Sequence, residues 1–505
     1  MDGSVDEISR EIVVEKQTEF MLKGAEEPRA TIQSVRSSDE ARETGGSEGT
    51  QEGGSRKEHM TENKPASVTE PKGTPKQAGE TRNAMAWVDR SVWTERMLQR
   101  LAQSQQQTKW FALWDKVWRE ETLMNASLQV IVNRGSAGVD RQSTEQFQRE
   151  WTEQIRKLQE ELRNGSYDPY PALRAYLEKP GSTELRPLGI PAVRDRVVQG
   201  ALKSVMEPIY EWDFVAQSYG FRPGKSAQQA LQRVEELLDS GHEYIVDADL
   251  KGYFDSIPHE RLMKLLRERI ADGAVLGLIQ KYLDAGVMEE GKGWEPSTAG
   301  TPQGSVISPL LANVYLHPLD VKMKETGREM VRYADDFVVL CRSREEAEQA
   351  LEAIQQWVAS VGLQLHPTKT RIASLEEGFE FLGFRYCRSK QTGKRIKVPR
   401  KKSLMKLRQR IREKTSRMRS EPMEFIIQEL NPSLKGWYGY FRTSLPSALG
   451  QVDGWVRRRL RSIARYRKKR KGISKGRENV AYTNQWFQER GLFTLFRSDP
   501  WTEQS

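Results

Sequence analysis

The chain has 505 residues, 80 Lys/Arg against 70 Asp/Glu, and a net charge of +10, which leaves room for roughly three domains of about 150 residues. Two cysteines, Cys341 and Cys387, exclude a disulfide framework and a cysteine-rich zinc site. No apolar run reaches the roughly 20 residues that span a bilayer, and the acidic N-terminus has no signal or transit pattern, so a cytoplasmic protein without a membrane partner is expected.

Residues 1–84 are rich in Glu, Gly, Ser, Thr and Lys and almost free of aromatics. Such a segment cannot bury enough apolar surface to offset the entropy of ordering, and is expected to be a disordered tail with a transient helix near 5–22. Order is expected from Met85. Trp87, Val88, Val92, Trp93, Met97 and Leu101 recur at helical spacing, as do Trp110, Leu113, Trp114 and Val117. These tryptophans suit core packing better than base stacking. Helices are predicted at about 121–133 and 144–164, with the loop Arg134-Gly135-Ser136-Ala137-Gly138-Val139-Asp140 between them.

Two apolar runs separated by Pro180-Gly181-Ser182 predict a hairpin over 177–191. Lys179 and Arg186 flank its turn. Such a pair is usually two solvated charges, but it also suits a clamp on a triphosphate, a point charge beside a planar fork. Helices are predicted at 195–212 and 226–240, interrupted by Ser218-Tyr219-Gly220-Phe221-Arg222-Pro223-Gly224.

Tyr244-Ile245-Val246 then reads as a buried strand ending at Asp249, with Asp247 on the same face. Gly252 lets the chain turn closely under a ligand, and a helix is predicted over 259–270. Gly300 to Pro309 opens a further helix running to about Leu319, its free backbone donors suited to a nucleotide.

Val331 to Leu340 holds two runs of β-formers around Asp335 and Asp336, the pattern of a tight hairpin with acids at its tip. Adjacent carboxylates repel, and a divalent cation with hard oxygen ligands removes the repulsion. An isolated Asp-Asp pair is most often a solvated turn; Asp249 supplies the third acid that a metal site needs. Ser343 to Glu346 is a capping-box pattern opening a helix. Short strands are predicted at 363–365, before Lys369, and at 379–384.

Beyond Arg388 the character shifts. Residues 388–477 hold 29 Lys/Arg against 5 Asp/Glu, a local charge near +24 that leaves the remainder near −14. Trp437, Tyr438, Tyr440 and Phe441 precede Arg442, and Trp455 precedes Arg457, Arg458 and Arg459. Concentrated positive charge with interleaved aromatics is a nucleic-acid footprint.

The ordered blocks Lys179 to Pro191, Ser218 to Gly224, Asp249 to Pro258, Thr301 to Pro309, Tyr333 to Asp336, Lys369 and Phe381 to Phe384 resemble the successive motifs of reverse transcriptases. Gly135 to Asp140 and Tyr333-Ala334-Asp335-Asp336 resemble, more narrowly, the bacterial group II intron-encoded proteins. Leu430 to Phe441 is similar to their maturase domain. The resemblance covers about 85–495.

It implies an α+β right-hand polymerase with fingers, an antiparallel-sheet palm and a thumb, followed by a helical maturase region. The expected divisions are a tail at 1–84, a helical extension and the start of the fingers at 85–175, fingers and palm at 176–388, thumb and maturase region at 389–495, and a C-terminal tail at 496–505. Asp249, Asp335 and Asp336 take catalytic roles, and with Leu250 they hold two Mg²⁺ ions, for which Mn²⁺ can substitute. Lys179, Arg186, Phe254, Gln303, Gly304 and Lys369 take nucleotide-binding positions. Phe254, with Tyr253 as the second candidate, is implied to stack under the sugar and exclude a 2′-hydroxyl, and Lys369 to assist phosphoryl transfer. Ser305 departs from the family, which commonly has a second glycine there.

Arg442, Arg457, Arg458 and Arg459 are expected on nucleic acid. The implied partners are group II intron RNA, an RNA template with a DNA primer, deoxynucleoside triphosphates and target DNA. No paired cysteines follow the polymerase core, so the shorter class of intron protein, without an endonuclease domain, is expected. The expected activity is RNA-directed DNA synthesis coupled to splicing and retrohoming. The alternatives are an RNA chaperone with residual polymerase activity, or a reverse transcriptase recruited to defence or repair.

Overall fold

The computed structural model describes residues 85–104, 108–178, 185–469 and 476–496. The segment 1–84 with its candidate helix, Lys179 and the turn after it, and the end of the chain from 497 lie outside the described residues. Residues 85–87 belong to a second unit, so the account starts at Val88. Among the described residues no helix is long and apolar enough to cross a membrane.

Among the described residues eleven strands follow in chain order: β1 (Ala172–Glu178), β2 (Leu185–Ile190), β3 (Tyr244–Asp249), β4 (Val287–Glu289), β5 (Gly293–Glu295), β6 (Glu329–Tyr333), β7 (Asp336–Cys341), β8 (Arg371–Ser374), β9 (Phe379–Phe381), β10 (Phe384–Arg388) and β11 (Arg395–Pro399). They form three sheets, ordered β2-β1-β4-β5, β6-β7-β3-β8 and β11-β10-β9. All neighbours are antiparallel except β1 and β4. This is an α+β fold.

The central sheet positions the acids. In β7 the run Phe337 to Cys341 is buried without alternation, as expected of a strand covered on both faces. The helices Ala227–Asp239, Ser308–Glu325 and Arg344–Ser360 pack on this sheet. Ile245, Val331, Val338 and Leu340 join Leu231, Val234, Phe379, Phe384 and Phe441 in one core.

Four sequence expectations change. The helix predicted over 144–164 is two, Thr144–Arg149 and Trp151–Asn164, and after the break the Trp151 indole donates to Ser127 Oγ at 2.7 Å. The Ser343 capping box is half made. Ser343 Oγ accepts from Glu346 N, but the Glu346 carboxylate accepts from Arg342 N at 2.8 Å, one residue before the cap. The predicted strand at 363–365 is only a bridge from Leu365 to Leu250, because Pro367 has no N–H to extend a ladder. The single strand predicted over 379–384 is the hairpin β9–β10. Leu382 (φ +44°) and Gly383 (φ +84°) form its turn, the doubly left-handed pattern of a type I′ connection.

Beyond β11 the helices Lys401–Lys414, Met423–Phe441 and Pro446–Arg467 surround a second core of Leu407, Ile411, Ile427, Leu430, Val456 and Leu460. The Asn431 side chain donates to Gly491 O and accepts from Phe493 N, and Asp453 accepts from the backbone N–H groups of Leu495 and Phe496. These bonds fasten the last described residues to the helices.

Candidate active site

Tyr333 and Asp336 are cross-strand partners, which leaves Ala334 and Asp335 as the two-residue turn between β6 and β7. Ala334 is left-handed, at φ +60°. Glycine normally fills that corner of a type II′ turn, and an L-residue there carries roughly 1–2 kcal/mol of strain.

Arg332 holds the turn in place. Its side chain is completely buried, where Nε donates to Asp320 Oδ1 at 2.7 Å and Nη2 donates to Asp320 Oδ2. Nη1 reaches both Asn313 Oδ1 at 2.8 Å and the Ala334 carbonyl at 2.9 Å. A charge-assisted bond to the turn's own carbonyl fixes the strained residue directly before Asp335. Sequence reasoning missed Arg332, Asn313 and Asp320. The spacing of Asn313 and Asp320 on the helix Ser308–Glu325 carries no metal or nucleotide pattern, and the one signal in the sequence was an arginine between Val331 and Tyr333 in a short β-forming run.

Asp249 ends β3 directly opposite Asp336. Cross-strand partners project to one face, so the two acids sit side by side below the tip that carries Asp335. Burial, then Asp335, Asp247 and Asp249, push the Asp336 carboxyl up to about 7, with Arg400 opposing. Asp335 is also raised, by burial first and by Asp249 among its neighbours, while Arg186 and Arg332 lower it. Asp247 shares this face but lies 3.9 Å from Arg371 Nε; burial raises it to about 6.

Lys369 Nζ donates to Asp249 Oδ2 at 2.7 Å. The backbone brings it there, because His366 N donates to Asp249 O and Lys251 N to Gln364 O. Leu250 buries its side chain, so only its carbonyl oxygen is suited to a hard cation.

Of the residues expected to bind a nucleotide, Arg186, Phe254, Gln303 and Gly304 are described, while Lys179 lies outside the described residues. Arg186 is exposed on β2 and lowers the carboxyls of Asp335 and Asp255. Phe254 is buried in the short helix Tyr253–Ser256, and its carbonyl accepts from Thr301 N at 2.7 Å. Gln303 O accepts from Gly189 N at 2.7 Å. Gly304, at φ +116°, lies so close that an added Cβ would overlap Gly189 O. Only glycine adopts that backbone freely, and its missing side chain lets this loop pack directly against β2. Ser305 is buried.

Among the described residues no three His, Cys, Asp or Glu side chains already converge on one metal-sized point. The hard oxygen donors and their mutual repulsion nonetheless fit a divalent cation, and the Lys369 ammonium already neutralises Asp249.

The basic region is less uniform than its composition suggests. Trp437 stacks on Phe441 at 4.6 Å, Phe441 packs on Phe384 at 4.8 Å, and the Tyr440 hydroxyl donates to Leu382 O. These aromatics are a packing seam against β10, which corrects the expectation that they interleave with nucleic-acid contacts. Trp455 lies under the guanidinium groups of Arg408 and Arg412.

Arg459 donates to Thr415 Oγ1 at 3.0 Å and Thr415 O at 2.7 Å, so it joins two helices. Arg457 is half-buried and acts on Asp453, whereas Arg442 and Arg458 are exposed. Arg458→Ala is therefore expected to weaken RNA binding and to flatten the slope of log affinity against log salt by about one unit. Arg459→Ala is expected instead to lower the melting temperature. Fluorescence anisotropy across a salt series checks the first and a thermal melt the second, and an unchanged slope for Arg458→Ala would remove it from the phosphate contacts.

The family described as reverse transcriptase (RNA-dependent DNA polymerase) matches residues 177–386, and the group II intron, maturase-specific domain matches residues 404–482. Protein YkfC of Escherichia coli (strain K12) is 34% identical over 315 residues, covering 54% of this chain and 82% of YkfC. Group II intron-encoded protein LtrA of Lactococcus lactis subsp. cremoris is 35% identical over 229 residues, covering 44% of this chain and 38% of LtrA. An uncharacterized 91 kDa protein in the cob intron of Schizosaccharomyces pombe is 31% identical over 296 residues, covering 47% of this chain and 36% of that protein. The chain thus spans most of YkfC but well under half of the other two.

Proposed function

Because the chain belongs to the family of group II intron-encoded reverse transcriptases and maturases, we propose that it is an RNA-directed DNA polymerase that also binds group II intron RNA, assisting splicing and then retrohoming. The observation that carries this is Asp249 standing opposite Asp336 below Asp335, with a lysine on Asp249. Residues 85–175 form the N-terminal extension and start of the fingers, 176–388 the fingers and palm, and 389–495 the thumb and maturase region. The protein works in the cytoplasm.

Asp249, Asp335, Asp336 and the Leu250 carbonyl hold the cation pair. Bound there, a pair of divalent cations would supply charge stabilisation for displacement at phosphorus. Arg186, with Lys179, grips the triphosphate. Phe254 supports the sugar, and the loop at Gln303 and Gly304 shapes the pocket beside it. Lys369, released from Asp249, stands ready to give a proton to the departing pyrophosphate. Arg442 and Arg458 hold nucleic-acid phosphates.

Extension of oligo(dT) on poly(rA) with dTTP and Mg²⁺ tests the proposal. Product is expected. RNA binding without extension would leave only a chaperone role.

The acids also set a pH dependence. Asp336 titrates near 7 in the folded protein, against about 4 for a free carboxyl. Between those values folding takes up a proton, so this group's contribution to stability falls as pH rises from about 4 to 7 and is flat above. Metal binding needs the carboxylate and runs the other way. Thermal stabilisation by Mg²⁺, read by scanning fluorimetry, is expected to be larger at pH 8 than at pH 6, and Asp336→Asn is expected to remove most of that difference. Equal stabilisation at both pH values would count against Asp336 as a ligand.

A further inference from the structure

The loop Ser218 to Gly224 has no role in the assignments above, yet it is fastened to the acid hairpin more firmly than a connector needs. Tyr219 N donates to Arg332 O at 2.8 Å, and Arg332 N donates to Gln217 O at 3.0 Å. Asn313 Nδ2 donates to Gly220 O at 2.9 Å, while Asn313 Oδ1 accepts from Arg332, so one buried amide bridges loop and hairpin. Gly220 lies so near Ala334 N that a Cβ would overlap it. The far side is locked as well. Arg222 donates to the Glu211 carboxylate and to the carbonyls of Val215 and Ser218.

Between these anchors Phe221 is left-handed, at φ +59°. For a bulky residue this is an outlier, and strain of this kind persists only where the surroundings over-determine it. The conformation sets the Phe221 ring edge-on to Phe254, with centroids 6.3 Å apart and planes at 77°. Tyr253 approaches Phe254 at 5.5 Å, with its hydroxyl held by Ala312 O at 2.6 Å. Phe254 thus sits between one ring pinned to the helix Ser308–Glu325 and one ring pinned to the acid hairpin.

We propose that Phe221 is a positioning residue that fixes the angle of the Phe254 ring, and through it determines discrimination between deoxyribonucleotides and ribonucleotides. The proposal rests on Phe254 as the ring beneath the sugar. A ring that excludes one extra oxygen must not tilt, and an edge-to-face partner is what resists tilting. A ring freed on that side turns and admits the 2′-hydroxyl, with little change for a sugar that lacks it.

The test compares kcat/KM for dTTP and UTP on poly(rA)/oligo(dT) in Phe221→Gly, Phe221→Leu, Phe254→Ala and the double variant Phe221→Gly/Phe254→Ala. Glycine removes the ring and suits the left-handed backbone, so that variant keeps the fold. Its melting temperature and its dTTP kcat are expected to stay near those of the parent. The UTP/dTTP ratio is expected to rise about tenfold in both Phe221 variants, the low end of what one hydrocarbon contact discriminates. A larger rise is expected in Phe254→Ala, with no further rise in the double variant, because coupled residues do not add. A ratio unchanged by the Phe221 variants but raised by Phe254→Ala overturns the role of Phe221 alone, as does full additivity in the double variant. A ratio unchanged in Phe254→Ala overturns the sugar-gate reading, and this proposal with it.

Discussion

Asp335→Ala is expected to lower DNA synthesis on an RNA template by at least about 10³-fold, since losing a metal ligand removes several kcal/mol of transition-state stabilisation. RNA affinity is expected to stay within about twofold of the parent. The separation follows from position. Asp335 sits at the tip of a two-residue turn, whereas the surface proposed for RNA lies on the helices beyond Arg388. Replacing it also removes one of the neighbours that raise Asp336, so the variant is expected to fold at least as stably as the parent. Primer extension and anisotropy on the same preparation provide the check. Extension retained within tenfold would dismiss Asp335 as a ligand.

Arg332→Met is expected to destabilise the protein by about 3–5 kcal/mol, because it leaves Asp320 buried and uncompensated. Asp320 is 2% exposed and Arg332 fully buried, so water cannot replace the lost partner. The double variant Arg332→Met/Asp320→Leu is expected to recover most of the loss, since an apolar pair often stands in for a buried ion pair. DNA synthesis is not expected to recover with it. Neither methionine nor leucine can donate to the Ala334 carbonyl, and the left-handed turn beneath Asp335 would be free to relax. Urea unfolding measures the first effect and primer extension the second. A double variant restored in both would make Arg332 a stability element only.

Much of this was legible in the sequence, and the exceptions have physical causes. Asp249 and the Asp335-Asp336 tip were readable because β3 ends in an acid and β7 begins with one beside an apolar run, a pattern that packing alone does not call for. The hairpin β1–β2 was readable from its turn residues. The β9–β10 hairpin was not, because its turn uses Leu382 where Asn or Gly is usual, and only tertiary packing makes that residue left-handed. The arginines of the basic block could not be sorted by composition. Arg458 and Arg459 are neighbours, yet one faces solvent and the other bonds Thr415. The aromatics near Phe441 misled for a related reason, since interleaving in sequence does not say which face of a helix they occupy. Nor did Asn313 or Phe221 carry any local signal; their roles arise from contacts about 20 to 90 residues apart in sequence.

The seam of Phe384, Trp437, Tyr440 and Phe441 has a consequence for descent. Two family matches describe this chain, and they meet between residues 386 and 404. The seam crosses that boundary: Phe384 lies on one side and Phe441 on the other, in one core with Leu231 and Phe379. A recombination breakpoint placed between the two matches would strip an aromatic face from each product and expose it to water. Separating the two matched segments is therefore expected to cost each of them part of its core.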